Sequence, residues 1–173
     1  SKRIIFWLFW KLNFMPKAEF SVTFRKKIKD FRKIIKVDPD KSLSIRSILL
    51  ASVGEGVSHV SNLLESEDVY SSINFVEKLG IKLKKIKKGK YIIFGQGLGN
   101  FNAPKNTIIN LGNSGTLCRL GCGLLATNQD LNLNLTGDKS LQRRNFKELF
   151  NILSKFGAEF YPNNKFKLPI KII

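Results

Sequence analysis

The strongest limit on what this chain can fold into is that it repeats itself. From about residue 38 a hydroxyl-bearing turn, Asp40-Lys41-Ser42-Leu43-Ser44-Ile45-Arg46, runs into the apolar helical segment Ile48-Leu49-Leu50-Ala51, which Gly54-Glu55-Gly56 ends. Residues 57–64 alternate as a strand. Ser66-Glu67-Asp68 then caps a helix whose Val69, Ile73, Val76 and Leu79 keep helical spacing up to Gly80. Residues 81–86 and 91–94 read as two strands joined by a Lys/Gly turn. The same order then recurs. Asn113-Ser114-Gly115-Thr116 opens an apolar helix carrying Arg119, and residues 131–135 form a strand. Thr136-Gly137-Asp138 opens one further helix containing Phe146, Leu149, Phe150 and Leu153, stopped by Gly157, with 160–161 and 166–173 as closing strands. Ser42 matches Ser114, Arg46 Arg119, Asp68 Asp138 and Gly80 Gly157, at offsets of about 70 to 77 residues. The expected fold is therefore α/β (α+β), with about two βαβαββ units at 38–110 and 111–173.

Stacked side by side, two such units place two helix N-termini on one edge. A helix entered after Lys41 leaves its first N–H groups unpaired, with the positive end of the macrodipole behind them, and phosphate or carboxylate ligands settle there. Lys41 adds a mobile charge, Ser42 a hydroxyl donor and Arg46 a planar fork that can grip a carboxylate through two bonds. A single such turn could equally be a capped helix with a solvated basic face. The second copy turns it into a double anion site. Gly95-Gln96-Gly97-Leu98-Gly99 lacks the spacing and the following helix of a dinucleotide loop and reads as a connection.

A formal charge of +17 over 173 residues first suggests a nucleic-acid or anionic-membrane partner. Much of the lysine, however, lies in residues 25–36 and 82–90, and abundant Lys, Ile, Asn and Phe together follow from an AT-rich coding sequence. A basic nucleic-acid-binding module stays as the alternative from another class. Cys118 and Cys122, one turn apart in an apolar segment, read as reduced core residues, which fits a cytoplasmic location; with the lone His59 they make no zinc set. Ser1-Lys2-Arg3 followed by seven apolar residues is too short to span a bilayer, so residues 1–19 are left unassigned, as a leader or a fragment artefact. Residues 20–37 read as strands.

Four blocks, the Asp40 to Arg46 run, Leu63-Leu64-Glu65-Ser66-Glu67-Asp68-Val69, Leu111-Gly112-Asn113-Ser114-Gly115-Thr116 with Arg119, and Leu135-Thr136-Gly137-Asp138-Lys139-Ser140-Leu141 with Arg144, together resemble the EPSP synthase family. The resemblance implies transfer of the enolpyruvyl group of phosphoenolpyruvate to shikimate 3-phosphate, with no metal or cofactor, by a monomer with no membrane partner. It implies two domains of three βαβαββ units, an inside-out α/β barrel with the site in the cleft between them. On that pattern Lys41, Ser42 and Arg46 would hold shikimate 3-phosphate, and Lys41, Gly115 and Arg144 phosphoenolpyruvate. Asp68, Asn113, Thr116 and Arg119 would shape the loops. Residues 38–173 would be an incomplete first domain, 20–37 strands of the second, and the acid/base residues would lie outside this chain, leaving it inactive alone. Three positions depart from the family pattern: Asp38-Pro39 stands for Pro-Gly, Ile45 for His and Asn145 for Pro. UDP-N-acetylglucosamine enolpyruvyl transferase is the alternative within the superfamily.

Overall fold

Asp40 begins the first helix by capping it. Its extended backbone and its carboxylate, which accepts the Leu43 N–H at 2.7 Å, start helix α1 (Lys41–Val53) where the sequence predicts it. The computed structural model describes residues 37–173 together with Thr23; the strands expected over 20–37 and the unassigned 1–19 fall outside them. Strand β1 (Glu55–Val60) follows α1, then helix α2 (Glu67–Lys78) and the hairpin β2 (Lys82–Lys87) and β3 (Lys90–Gln96). These strands form an antiparallel sheet in the order β1-β3-β2, with Val57 opposite Phe94 and His59 opposite Ile92. The sheet lies hard against the end of α1: a Cβ on Gly95 would run into the carbonyl oxygens of Ala51 and Gly54, so a glycine is required there for close backbone approach.

The second half adds strand β4 (Thr107–Asn110), helix α3 (Gly115–Leu125), strand β5 (Leu133–Thr136), helices α4 (Lys139–Arg143) and α5 (Lys147–Ser154), and strands β6 (Phe160–Tyr161) and β7 (Ile170–Ile172). Its sheet has the order β4-β5-β7-β6, in which β4 and β5 are parallel and the other pairs antiparallel. The order β5-β7-β6 reproduces β1-β3-β2 strand for strand. Both halves share one core. Ile45 and Ile48 of α1, Phe75 and Val76 of α2, Leu117 and Cys118 of α3 and Leu133 and Leu135 of β5 are all fully buried. Each large apolar side chain so placed is worth about 1.5–3 kcal/mol. Phe75 packs so closely on α3 that a Cβ at Gly121 would lie 2.9 Å from its ring.

Four expectations change. The first strand runs over Glu55–Val60 rather than 57–64, because Asn62 takes a left-handed φ of 61° and residues 63–65 are drawn to other partners. Strand β4 has no counterpart in the sequence reading; four residues are too few to show a period. The single helix expected from Asp138 through Leu153 is two helices, since Arg144 at φ −71° and ψ 144° is extended and breaks it. The last strand covers only Ile170–Ile172 of 166–173, following Pro169, which has no N–H to give the ladder. Ser66 does stand at the N-cap of α2, but its hydroxyl makes no capping bond and is buried without a partner. Cys118 and Cys122 are free and buried; the hydrogen bond of the Cys122 thiol to Cys118 and then burial push that thiol well above its ordinary range.

Candidate anion-binding site

The first turn of α1 presents its cations in different states. Lys41 reaches across to helix α2, where its ammonium lies 2.8 Å from Asp68 Oδ2; the lysine side chain is 52% exposed and the aspartate only 17%. Asp68, expected only to shape a loop, is thus the direct partner of Lys41. Arg46 stacks back along its own helix and donates to Ser42 Oγ at 3.4 Å, the i, i+4 neighbour. Behind them Ser44 locks the turn: its hydroxyl donates to Asp40 O at 2.7 Å and accepts the Leu64 N–H at 2.9 Å.

The first turn of α3 is built differently. Ser114 caps it, accepting the Leu117 N–H at 3.2 Å, and Gly115 is its first residue, buried and outside the left-handed region. Two guanidiniums converge over Gly115. A Cβ built there would lie 2.5 Å from Arg144 Nη1 and 3.2 Å from Arg119 Nη1. Arg119 donates to Gly115 O at 3.2 Å, and Arg144 donates to Asn113 Oδ1 at 2.9 Å. The Gly115 N–H itself donates to Asn113 O at 3.1 Å. Thr116 is half-buried one residue further in.

These two ends are joined. Asp68 and Ser71 share the first turn of α2, and Ser71 Oγ lies 2.6 Å from where a Cβ on Gly112 would point. Gly112, at φ 59°, accepts the Asp138 N–H at 2.9 Å through its carbonyl, and Asp138 caps α4, accepting the Leu141 N–H at 2.7 Å. Arg144 follows directly after α4. The Lys41–Asp68 pair, the Ser71–Gly112 approach and the Gly112–Asp138 bond thus lead from the α1 end toward the loop that carries Arg144. Beside it lies an open depression of about 700 Å³ lined by Asp138, Lys139, Ser140, Arg143 and Arg144.

Lys139 and Ser140 were not among the expected site residues, yet the sequence carried a signal for them. Asp138-Lys139-Ser140-Leu141 repeats Asp40-Lys41-Ser42-Leu43 letter for letter, and both aspartates cap at the same 2.7 Å. Glu65 was missed as well. Its carboxylate accepts the Gly89 N–H at 2.8 Å, Lys85 Nζ at 2.9 Å, Tyr70 OH at 2.9 Å and Tyr91 OH at 3.2 Å. The Gly89 N–H first, then Lys85, hold its pKa down to about 2.

Chemically the arrangement offers cationic N–H donors at two helix starts. Two carboxylates stand among these cations and each has a partner, Asp68 in Lys41 and Asp138 in the Leu141 N–H that it caps. Among the described residues no three His, Cys, Asp or Glu side chains gather to hold a metal ion, and no helix is long and apolar enough to cross a membrane.

Comparison with known proteins gives one answer at each level. Residues 25–173 match the family model of EPSP synthase (3-phosphoshikimate 1-carboxyvinyltransferase). The 3-phosphoshikimate 1-carboxyvinyltransferase of Oenococcus oeni is 41% identical over 134 residues, 78% of this chain and 30% of its own length. That of Magnetococcus marinus is 42% identical over 119 residues, 69% of this chain and 26% of its own length. The solved EPSP synthase of Acinetobacter baumannii superposes with a TM-score of 0.71 at 33% identity, over 80% of this chain and 31% of its own. The chain thus spans about 30% of the length of the relatives it matches.

Proposed function

This chain belongs to the EPSP synthase family, and on that premise we propose that it supplies the anion-binding wall for transfer of the enolpyruvyl group from phosphoenolpyruvate to shikimate 3-phosphate. Phosphoenolpyruvate is received by Arg144 and by the backbone about Gly115, with Lys41 reaching it from the neighbouring helix end. Lys41, Ser42 and Arg46 take the phosphate and hydroxyls of shikimate 3-phosphate, and Asp68, Asn113, Thr116 and Arg119 hold these groups in place. The observation that carries this reading is the convergence of Arg144 and Arg119 over the buried, side-chain-free Gly115 at a helix N-terminus. The absence of a Cβ lets both forks approach the helix end, and each fork can donate two bonds to a phosphate or carboxylate.

The two halves are read as βαβαββ units, 38–110 and 111–173, of the inside-out barrel fold, within one domain. The matching strand orders support this. A cytoplasmic compartment suits two free, buried cysteines. Titrating phosphoenolpyruvate into the chain by calorimetry tests the site. Arg144→Ala is expected to weaken binding about tenfold or more, as removal of a charge-assisted pair does, and Arg144→Lys to restore only part. Equal affinity of Arg144→Ala and the parent chain would overturn the assignment.

A further inference from the structure

Glu65 lies in the segment between β1 and α2, three residues before Asp68. Four donors from different elements close on it: Lys85 of β2, the Gly89 N–H at the hairpin turn, Tyr91 of β3 and Tyr70 of α2. The side chain is only 12% exposed. The same segment is pinned at two further points, where the Leu63 N–H donates to Gly89 O at 3.0 Å and the Leu64 N–H to Ser44 Oγ at 2.9 Å. Ser44 belongs to the turn that carries Lys41.

From this geometry we infer that Glu65 is a positioning residue for Lys41: it clamps residues 63–65 between the β2–β3 hairpin and the start of α2, and so fixes Asp68 where it holds the Lys41 ammonium. A lysine has a flexible four-carbon stem, and a single exposed ion pair orients it weakly. What restricts it here is that its partner, Asp68, cannot move. The Tyr70 hydroxyl makes the link direct, because Tyr70 stands in the first turns of the helix that bears Asp68. A carboxylate is needed at 65 because all four neighbours are donors; an amide would turn two of its own N–H groups toward them.

This inference rests on Lys41 being a ligand group, so the test includes Lys41→Met. The 173-residue chain, with lysine side-chain NMR signals observed and Lys41 assigned by its loss in Lys41→Met, is compared with Glu65→Gln and Tyr70→Phe. Glu65→Gln is expected to move the Lys41 signal toward those of exposed lysines and to weaken phosphoenolpyruvate binding by up to about fivefold. Tyr70→Phe, which removes one hydroxyl from an exposed ring, is expected to do the same to a smaller degree with the fold kept. A lower melting temperature with the Lys41 signal and affinity unmoved in both variants would make Glu65 structural only and overturn the inference. Unchanged affinity in Lys41→Met would instead overturn the role given to Lys41 itself.

Discussion

A methyl group at Gly115 would meet two guanidinium groups first. Because φ at Gly115 is not left-handed, Gly115→Ala is unstrained, and alanine favours the helix by up to about 1 kcal/mol over glycine. The arginine ends can swing aside, so the expected result is an unchanged or slightly raised melting temperature. Displacing Arg144 should nonetheless weaken phosphoenolpyruvate binding by about tenfold, the worth of one charge-assisted bond. Calorimetry beside thermal melting checks both halves; a lowered melting temperature with intact affinity would count against the site. At this scale the helix starts at Lys41 and Gly115 were legible, because the caps Asp40 and Ser114 stand next to them in sequence. The partners of Lys41 and Arg144 were not. Nothing in spacing says that Asp68 meets Lys41 or that Asn113 meets Arg144, since both contacts cross between elements 27 and 31 residues apart in sequence.

Helices α1, α3 and α4 start on side-chain caps, and two of these caps are aspartates in the same tetrapeptide. Asp138→Ala should cost about 1 kcal/mol or more in urea denaturation, because the cap is lost at the loop that also anchors Gly112. Glu65 makes the hairpin sensitive to acid. Its folded pKa of about 2 lies below the ordinary 4.5, so the unfolded chain takes up the extra proton; the stabilisation is complete above about pH 4.5 and is lost as the pH falls toward 2. Urea midpoints of the parent chain and of Glu65→Gln should therefore differ at pH 6 and draw together toward pH 2. The start of α1 could be read to the residue because its cap is local in sequence. The break at Arg144 could not, for the apolar positions Leu141, Phe146 and Phe150 continue past it at nearly helical intervals, while the bonds that accompany the break, the Arg144 guanidinium to Asn113 Oδ1 and the Phe146 N–H to Phe166 O, come from distant parts of the chain.

Over the whole molecule, the repeat visible in the sequence reappears as one strand order used twice, with the helix N-termini of both halves tied through α2. The chain by itself is expected to bind phosphoenolpyruvate without turning it over, because it spans about 30% of the length of the relatives it matches and catalysis by positioning draws on groups from all sides of the substrates; phosphate released from phosphoenolpyruvate and shikimate 3-phosphate above a blank would contradict this. The order of helices and strands was legible because a repeat constrains it as a whole, whereas β4 was not, being four residues long. The different caps of the two helices carry one more consequence. The α1 end sets Lys41 and Arg46 against the carboxylates of Asp40 and Asp68 and is close to neutral, while the α3–α4 end sets Arg119, Lys139, Arg143 and Arg144 against Asp138 alone and caps α3 with an uncharged serine. Small ions will therefore crowd the second end and scarcely populate the first. Added potassium chloride should compete away an anion held by Arg144 well before it disturbs one held at Lys41, so that the ionic strength of the solution alone separates the two halves of the wall.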